Sequence, residues 1–417
     1  MADRDFDIVV FGATGFTGKL VAEWLAEHAP EGLSWAIAGR NPSKLERVRS
    51  ELAGRWPALR DLALIQADSS NEDDVRRLAE STRVVCTTVG PYLAYGLPLA
   101  AACARAGTHY CDLTGETLFI RKTIDTLEDV ARETGARIVH CCGYDSIPSD
   151  MGTLLLQDHM IAQGAPAQRV TTYVGPTKGG FSGGTIASMI GLMEAASDRS
   201  VRRQLADPYN LDPADGKRGV DTWDQGAPAY DETIGTWTAP FVMAAINTRV
   251  VRRSHALLGY PWGEGFSYTE TMSLGPDLGG RLRAYAVSAG LGAFVAAVAT
   301  PGPRKLLTKY ALPAPGEGPD EEARETGFFR HLVTGIGADP SHRAIARVRG
   351  IKDPGYGETA KMLSNAALCL ALNDDLPDRA GILTPASGIG LPLLDRLRDH
   401  GMTWSTEDWP ASGNPRP

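Results

Sequence analysis

No C-x-x-C pair occurs in this chain, and its histidines are scattered without zinc-ligand spacing, so no metal site is expected. Cysteine is sparse: the six residues at 86, 103, 111, 141, 142 and 369 mostly sit inside apolar strand or helix patterns. That usage fits reduced, buried thiols rather than a disulfide framework. Cys141 and Cys142 are adjacent and cannot close an ordinary disulfide without strain. Positive charge is in deficit: 42 Lys and Arg face 50 Asp and Glu, for a net charge of −8, which argues against broad nucleic-acid binding. Internal repeats are absent. A leader pattern is absent too, since charged residues run straight into a strand, so the expected location is the cytoplasm.

What is present begins with glycine. Ile8 to Phe11 is a continuous apolar, β-branched run and reads as a buried parallel strand. Gly12, Gly15 and Gly18 follow at spacings of three, and Phe16, Leu20, Val21, Trp24 and Leu25 then fall at helical spacing. Strand, glycine turn and helix start together aim free backbone N–H groups and a positive helix end at one spot, where a pyrophosphate fits. The loop Gly12, Ala13, Thr14, Gly15, Phe16, Thr17, Gly18 is therefore expected to bind a dinucleotide. Its spacing is G-x-x-G-x-x-G rather than the G-x-G-x-x-G fingerprint, and its position between the first strand and the first helix carries the inference.

The next strand, Ser34–Gly39, ends at Arg40, with Asn41 and Lys44 behind it. NAD sites usually place a carboxylate here for the ribose 2′-hydroxyl. A guanidinium instead suits a 2′-phosphate, so the cofactor is expected to be NADP(H). Strand three, Leu62–Ala67, ends at Asp68 and Ser69, which either meet the adenine or cap the following helix. Strand four, Arg83–Thr88, runs into Thr88, Val89, Gly90 and Pro91, a turn expected beside the ribose and nicotinamide. Strands at Thr108–Leu113 and Ala136–Cys142 complete a six-stranded, doubly wound Rossmann-type unit over about residues 1–150.

Beyond Asp150 the pattern changes to strands of alternating polarity at Arg169–Gly175, Phe266–Leu274, Phe328–Gly335 and Ala344–Gly350, with helices between them. This predicts a second α+β domain over 151–350 with a mixed or antiparallel sheet. C-terminal helices over 351–417 are expected to pack back on the first domain. Asp207–Pro240 reads as a long irregular loop, either a lid or a surface excursion, and Pro301–Pro319 as an exposed linker. Ala284–Pro303 carries no charge and is followed by Arg304, Lys305 and Lys309. A buried core or oligomer helix is the plainer reading of it. A helix lying on the inner face of the plasma membrane, or one crossing the membrane, is the alternative.

Several blocks share a family pattern: Gly12–Gly18, Ala38–Arg40, Val89–Tyr92, Tyr110–Glu116 and Gly143–Asp150. The chain resembles the saccharopine dehydrogenase-like oxidoreductases. Ser182–Thr185, Asn247–Ser254 and Tyr268–Leu274 resemble one branch, the trans-acting enoyl reductases of actinobacterial polyketide-lipid synthesis. The resemblance implies an NADP-dependent enzyme that reduces a chain carried on an acyl carrier, in partnership with a polyketide synthase. A saccharopine-like amine dehydrogenase and a non-catalytic NADP-binding scaffold are the alternatives. Enoyl reduction needs a proton donor beside the hydride source. Tyr92 and Tyr95 are the first candidates, Tyr144 and Asp145 the next, and His109 and Asp112 weaker ones; each could instead be core. Asp112 and Glu116 could equally cap the following helix. Arg249, Arg252 and Arg253 read as a solvated helix face, or as a receiver for a phosphopantetheine arm or an acidic carrier.

Overall fold

The computed structural model describes residues 4–179, 183–300, 302–304, 318–410 and 414–417. Lys305, Lys309, Ser182 and most of the expected 301–319 linker lie outside them.

Two seven-stranded sheets organise the chain. The first is parallel and starts with β1 (Phe6–Phe11), whose apolar run leaves residues 8–11 fully buried. Around it stand β2 (Trp35–Gly39), β3 (Ala63–Gln66), β4 (Thr82–Thr87), β5 (His109–Asp112) and β6 (Arg137–Val139). The chain order across the sheet reads 3-2-1-4-5-6, the doubly wound arrangement with its switch point between β1 and β4. Between these strands run α1 (Phe16–His28), α2 (Pro42–Arg55), α3 (Glu72–Ser81), α4 (Tyr92–Ala106) and α5 (Thr117–Thr134), and α6 (Ile147–Ala162) leads out of the unit.

The second sheet is mixed. Its strands are β7 (Arg169–Lys178), β8 (Ala229–Asp231), β9 (Thr236–Pro240), β10 (Ser267–Ser273), β11 (Phe328–Ile336) and β12 (Arg343–Gly350). β7 pairs parallel with β10 and antiparallel with β11, and β12 is antiparallel to β11. The helices α7 (Gly183–Ala195), α8 (Arg199–Ala206), α9 (Ala244–Leu257) and α10 (Leu278–Ala299) belong to this half.

The C-terminal stretch serves both sheets. β13 (Gly381–Leu383) adds a seventh parallel strand beside β6, and β14 (Thr403–Asp408) pairs with β12 at the edge of the second sheet. Between β12 and β14, α11 (Thr359–Leu372) lies against α1 and β4, and α12 (Pro392–Asp399) packs on α11. One apolar core accordingly runs from Ile8 and Leu25 through Met362 and Leu363 to Val333 and Val348.

Three expectations are corrected here. Asp207–Pro240 is not one irregular loop, because it contains β8 and β9 and is anchored by Asp221 and Asp224. The arginines of α9 are not a solvated face: Arg249, Arg252 and Arg253 are all buried. Arg252 pairs with Asp221 at 2.6 Å and Arg249 with Asp224, while Arg253 donates to the carbonyls of Leu211 and Ile382. Each cation meets a carboxylate or carbonyl brought over it by the 205–224 segment, which makes burial affordable in free energy. Finally, α10 is not a core helix: only 11% of its most apolar eighteen-residue stretch is buried.

Candidate functional site

The carboxyl ends of β1, β2 and β4 build the first half of the site. Gly12 holds φ = 94°, a left-handed turn that a side chain would resist. A Cβ on Gly18 would collide with the Gly12 carbonyl, so this glycine sets how closely α1 approaches the loop. The Gly12 amide donates to Ala38 O at 2.9 Å and the Gly15 amide to Gly12 O at 2.9 Å, which fixes the turn. Gly15 is the N-cap of α1, exposed, and no side chain caps that helix. Its first-turn N–H groups therefore have no side-chain acceptor, the arrangement that accepts a phosphate. Ala13 is buried beneath the turn, and Thr14 and Thr17 flank it half-buried.

Arg40, Asn41 and Lys44 are exposed together past β2. Asn41 caps α2 by accepting the Lys44 amide at 3.0 Å. No hydrogen bond or ion pair holds the Arg40 guanidinium among the described residues. Its field reaches Asp68, whose carboxyl lies below the usual range mainly because it accepts the Ser70 amide and hydroxyl. Asp68 is thus locked in a local turn and Ser69 is buried, while Arg40 remains available to an anion. Thr88, Val89 and the cis Gly90–Pro91 bond close the switch point opposite the glycine loop. Phe16 is covered from the other half of the molecule: Tyr356 meets its ring edge-on at 4.8 Å, and the Arg324 guanidinium lies 5.5 Å over it.

These residues fit a dinucleotide. The first sheet's residues 8–139 match the family described as saccharopine dehydrogenase NADP binding domain. A Mycobacterium tuberculosis protein provisionally named a trans-acting enoyl reductase is 44% identical over 97% of this chain and 98% of its own length. A Mycobacterium ulcerans protein named trans-acting enoyl reductase is 38% identical, with the same coverage of each. The chain belongs to the saccharopine dehydrogenase-like family, in the branch named for those reductases. Among solved structures, saccharopine dehydrogenase (L-Glu forming) of Saccharomyces cerevisiae matches with a TM-score of 0.53 at 12% identity, covering 96% of this chain and 99% of that one. At that identity the match establishes the fold alone.

The second half of the site lies past β4, β5 and β6, and here the expected proton donors separate. Tyr92 is buried, its ring stacks on Phe119 at 5.7 Å, and its hydroxyl donates to Thr87 O at 3.1 Å. Burial holds that hydroxyl well above its usual range. It is a core tyrosine, and the expectation of a proton donor there is corrected. Tyr144 directs its hydroxyl at His331 Nε2, 3.1 Å away, and burial raises it as well. Tyr95 is about half exposed on α4.

Asp145 differs from all of these. Its carboxyl is raised to about 6 by burial, and its Oδ2 stands beside Gly115, as does the methyl end of Met243. His109 begins β5, at the opposite end of the strand from the ligand edge, where its Nδ1 accepts the Arg137 amide. Asp112 is fully buried and fully used: Tyr110 and His140 meet one oxygen at 2.9 and 2.7 Å, and the Thr114 and Cys141 amides meet the other. Both are therefore removed from the donor candidates.

Glu116 has a role that the chain order hid. It accepts the amides of Tyr92 and Leu93, each at 2.8 Å, and so caps α4 rather than the helix that follows it. The Ser188 hydroxyl of α7 also donates to it at 2.7 Å, tying the second half of the chain to the mouth of the site. Sequence reasoning also missed Glu270. It accepts from Ser149 and Asn247, both at 3.0 Å, and from Tyr268, and Asn247 in turn accepts from Ser146 at the N-cap of α6. The signal was there: Tyr268, Glu270 and Met272 alternate on one strand, and an acid in such a row faces the interior with its neighbours.

Proposed function

We propose that the protein is an NADPH-dependent reductase of a carbon–carbon double bond in an acyl chain delivered on a carrier. The observation that carries the cofactor reading is the exposed Arg40 at the end of β2, unpaired among the described residues, where a carboxylate would repel a 2′-phosphate. The Gly12–Gly18 loop and the start of α1 would hold the pyrophosphate, with Arg40, Asn41 and Lys44 around the adenosine phosphate. Thr88, Val89, Gly90 and Pro91 would line the ribose and nicotinamide. When bound, NADPH supplies a hydride for the β-carbon. Asp145, between the end of β6 and the start of α6, would give its proton to the α-carbon and then regain one from solvent. Its raised carboxyl suits that role, because a donor matched to the working pH is part-protonated there.

The names of the full-length relatives support the acyl substrate. A carrier-bound chain also fits the lack of free cations from α9: Arg249, Arg252 and Arg253 are all spent inside the protein, so they leave nothing to grip an amino-diacid. The synthase partner and a cytoplasmic setting belong to the same proposal.

The test is NADPH oxidation by the purified chain with an α,β-unsaturated acyl group on phosphopantetheine or coenzyme A, with mass spectrometry of the product. A product two hydrogens heavier supports the reading. NADPH binding without turnover on any enoyl thioester, alongside oxidation of an amino-diacid, would replace it with the amine dehydrogenase.

A further inference from the structure

We propose that α10 is a lipid-surface helix: this face of the protein rests on an anionic bilayer. α10 runs for 22 residues and is long and apolar enough to cross a membrane, yet it lies on the outside of the molecule. Leu278, Leu282, Tyr285 and Val295 are 69%, 64%, 52% and 41% exposed. Gly280, Ala284 and Val298 point the other way and are buried, and the helix packs on β9 and α7. Gly280, Ala284 and Val298 fasten one flank to the protein, Leu278, Leu282 and Tyr285 carry apolar side chains into solvent on the opposite flank, and Val295 is exposed at the edge of the packed flank. A helix so fastened lies parallel to a surface rather than through it.

Two independent observations select lipid as the occupant. The first is charge. From Leu278 to Gly316 the sequence has no acidic residue, and it carries Arg281, Arg283, Arg304, Lys305 and Lys309 in a chain whose net charge is −8. Among the described residues Arg304 meets Glu194 at 2.7 Å and Arg283 reaches Asp277 at 3.8 Å, so the charge this face presents most openly is exposed Arg281 with Arg283 at the start of the helix, and cations beside an apolar helix are drawn to anionic headgroups. The second is the aromatic belt at the start of the helix. Tyr230, Trp237 and Tyr285 form a chain of rings 5.5 and 6.4 Å apart, and the Arg281 guanidinium lies 5.3 Å over Trp237. Amphipathic rings with a cation among them are the composition of a membrane–water boundary. α7, against which α10 packs, reaches the mouth of the cleft through Ser188. A single helix therefore separates the apolar face from the candidate active site. The inference does not depend on the reaction, since a protein with no reductase activity would bind lipid equally through this face.

The experiment is flotation of the full chain with vesicles of phosphatidylcholine alone and with added phosphatidylglycerol, at low and high salt. NADPH binding by each variant serves as the check that it is folded. The wild type floats with the anionic vesicles and is released by salt. L282E/V295E lowers the bound fraction roughly tenfold or more, and R281E/R283E lowers it by a similar factor on anionic vesicles while changing nothing on phosphatidylcholine. Three results would overturn the proposal. The wild type could stay in the buffer at every composition. L282E/V295E could float as well as the wild type. Or the wild type could sediment as a dimer that L282E/V295E dissolves while neither binds vesicles, which would make this face a contact between two copies.

Discussion

Arg40 and Asp145 are single side chains on which the proposed chemistry turns, and each makes a separable prediction. Arg40→Asp replaces the group awaiting the 2′-phosphate with one that repels it. Losing charge-assisted hydrogen bonds of roughly 1.5–3 kcal/mol each should weaken NADPH binding about tenfold to a hundredfold, with NADH weakened far less. Isothermal titration of both cofactors checks it; an unchanged ratio removes Arg40 from the site. Asp145→Asn keeps the volume and removes the proton. Turnover should fall by roughly 10²–10⁴ with NADPH affinity intact. The wild-type rate should decline as pH rises through about 6, because the donor is then ionised, and that limb should be missing from the residual rate of Asp145→Asn. Arg40 was legible in the sequence, since a strand end fixes where its side chain must stand. Asp145 was legible only as one of several candidates: four groups near one sheet edge could be named, but which of them turn inward depends on packing from β11, α9 and α11.

The same limit holds for whole elements. β1, the glycine turn and α1 are determined locally, and the structure has them where the apolar run and glycine spacing put them. β13 is three residues long and β14 is mostly polar and exposed, so neither carries a strand pattern of its own; each exists because an open sheet edge is there to receive it. α9 misled for a physical reason. Three arginines on one helix predict a wet face unless carboxylates from elsewhere cover them, and those carboxylates lie more than twenty residues away in the chain. Glu116 is a further long-range case, capping a helix that precedes it by 24 positions. Its replacement by alanine should leave the first amides of α4 without acceptors and free Ser188 from the cleft mouth. We expect roughly 1–3 kcal/mol of lost stability and a raised KM for the acyl substrate. Thermal melting and steady-state kinetics check the two effects separately.

Taken as one molecule, the chain is stitched together by buried polar groups at the junction of its two sheets, and these make its stability sensitive to pH. Burial raises Asp150, Asp212 and Glu270 to about 7. In the unfolded chain such acids titrate near 4. Between about pH 6.5 and 8 the folded state therefore holds protons that the unfolded state has already released, so stability falls as pH rises. The buried histidines act in the other direction but in a lower window. His109 and His255 are lowered to about 4 and His331 to about 3, so their opposition is largely spent once the pH exceeds their ordinary value near 6.5. The acids decide the slope above that point. Glu270 offers the cleanest variant, because glutamine can keep the Ser149 and Asn247 contacts while losing the titration. Melting temperature should decline for the wild type from pH 6.5 to 8, and the decline should be shallower in Glu270→Gln. Equal slopes for the two proteins would mean that Glu270 stays ionised in the folded state, and that the junction between the sheets holds a charge rather than a proton.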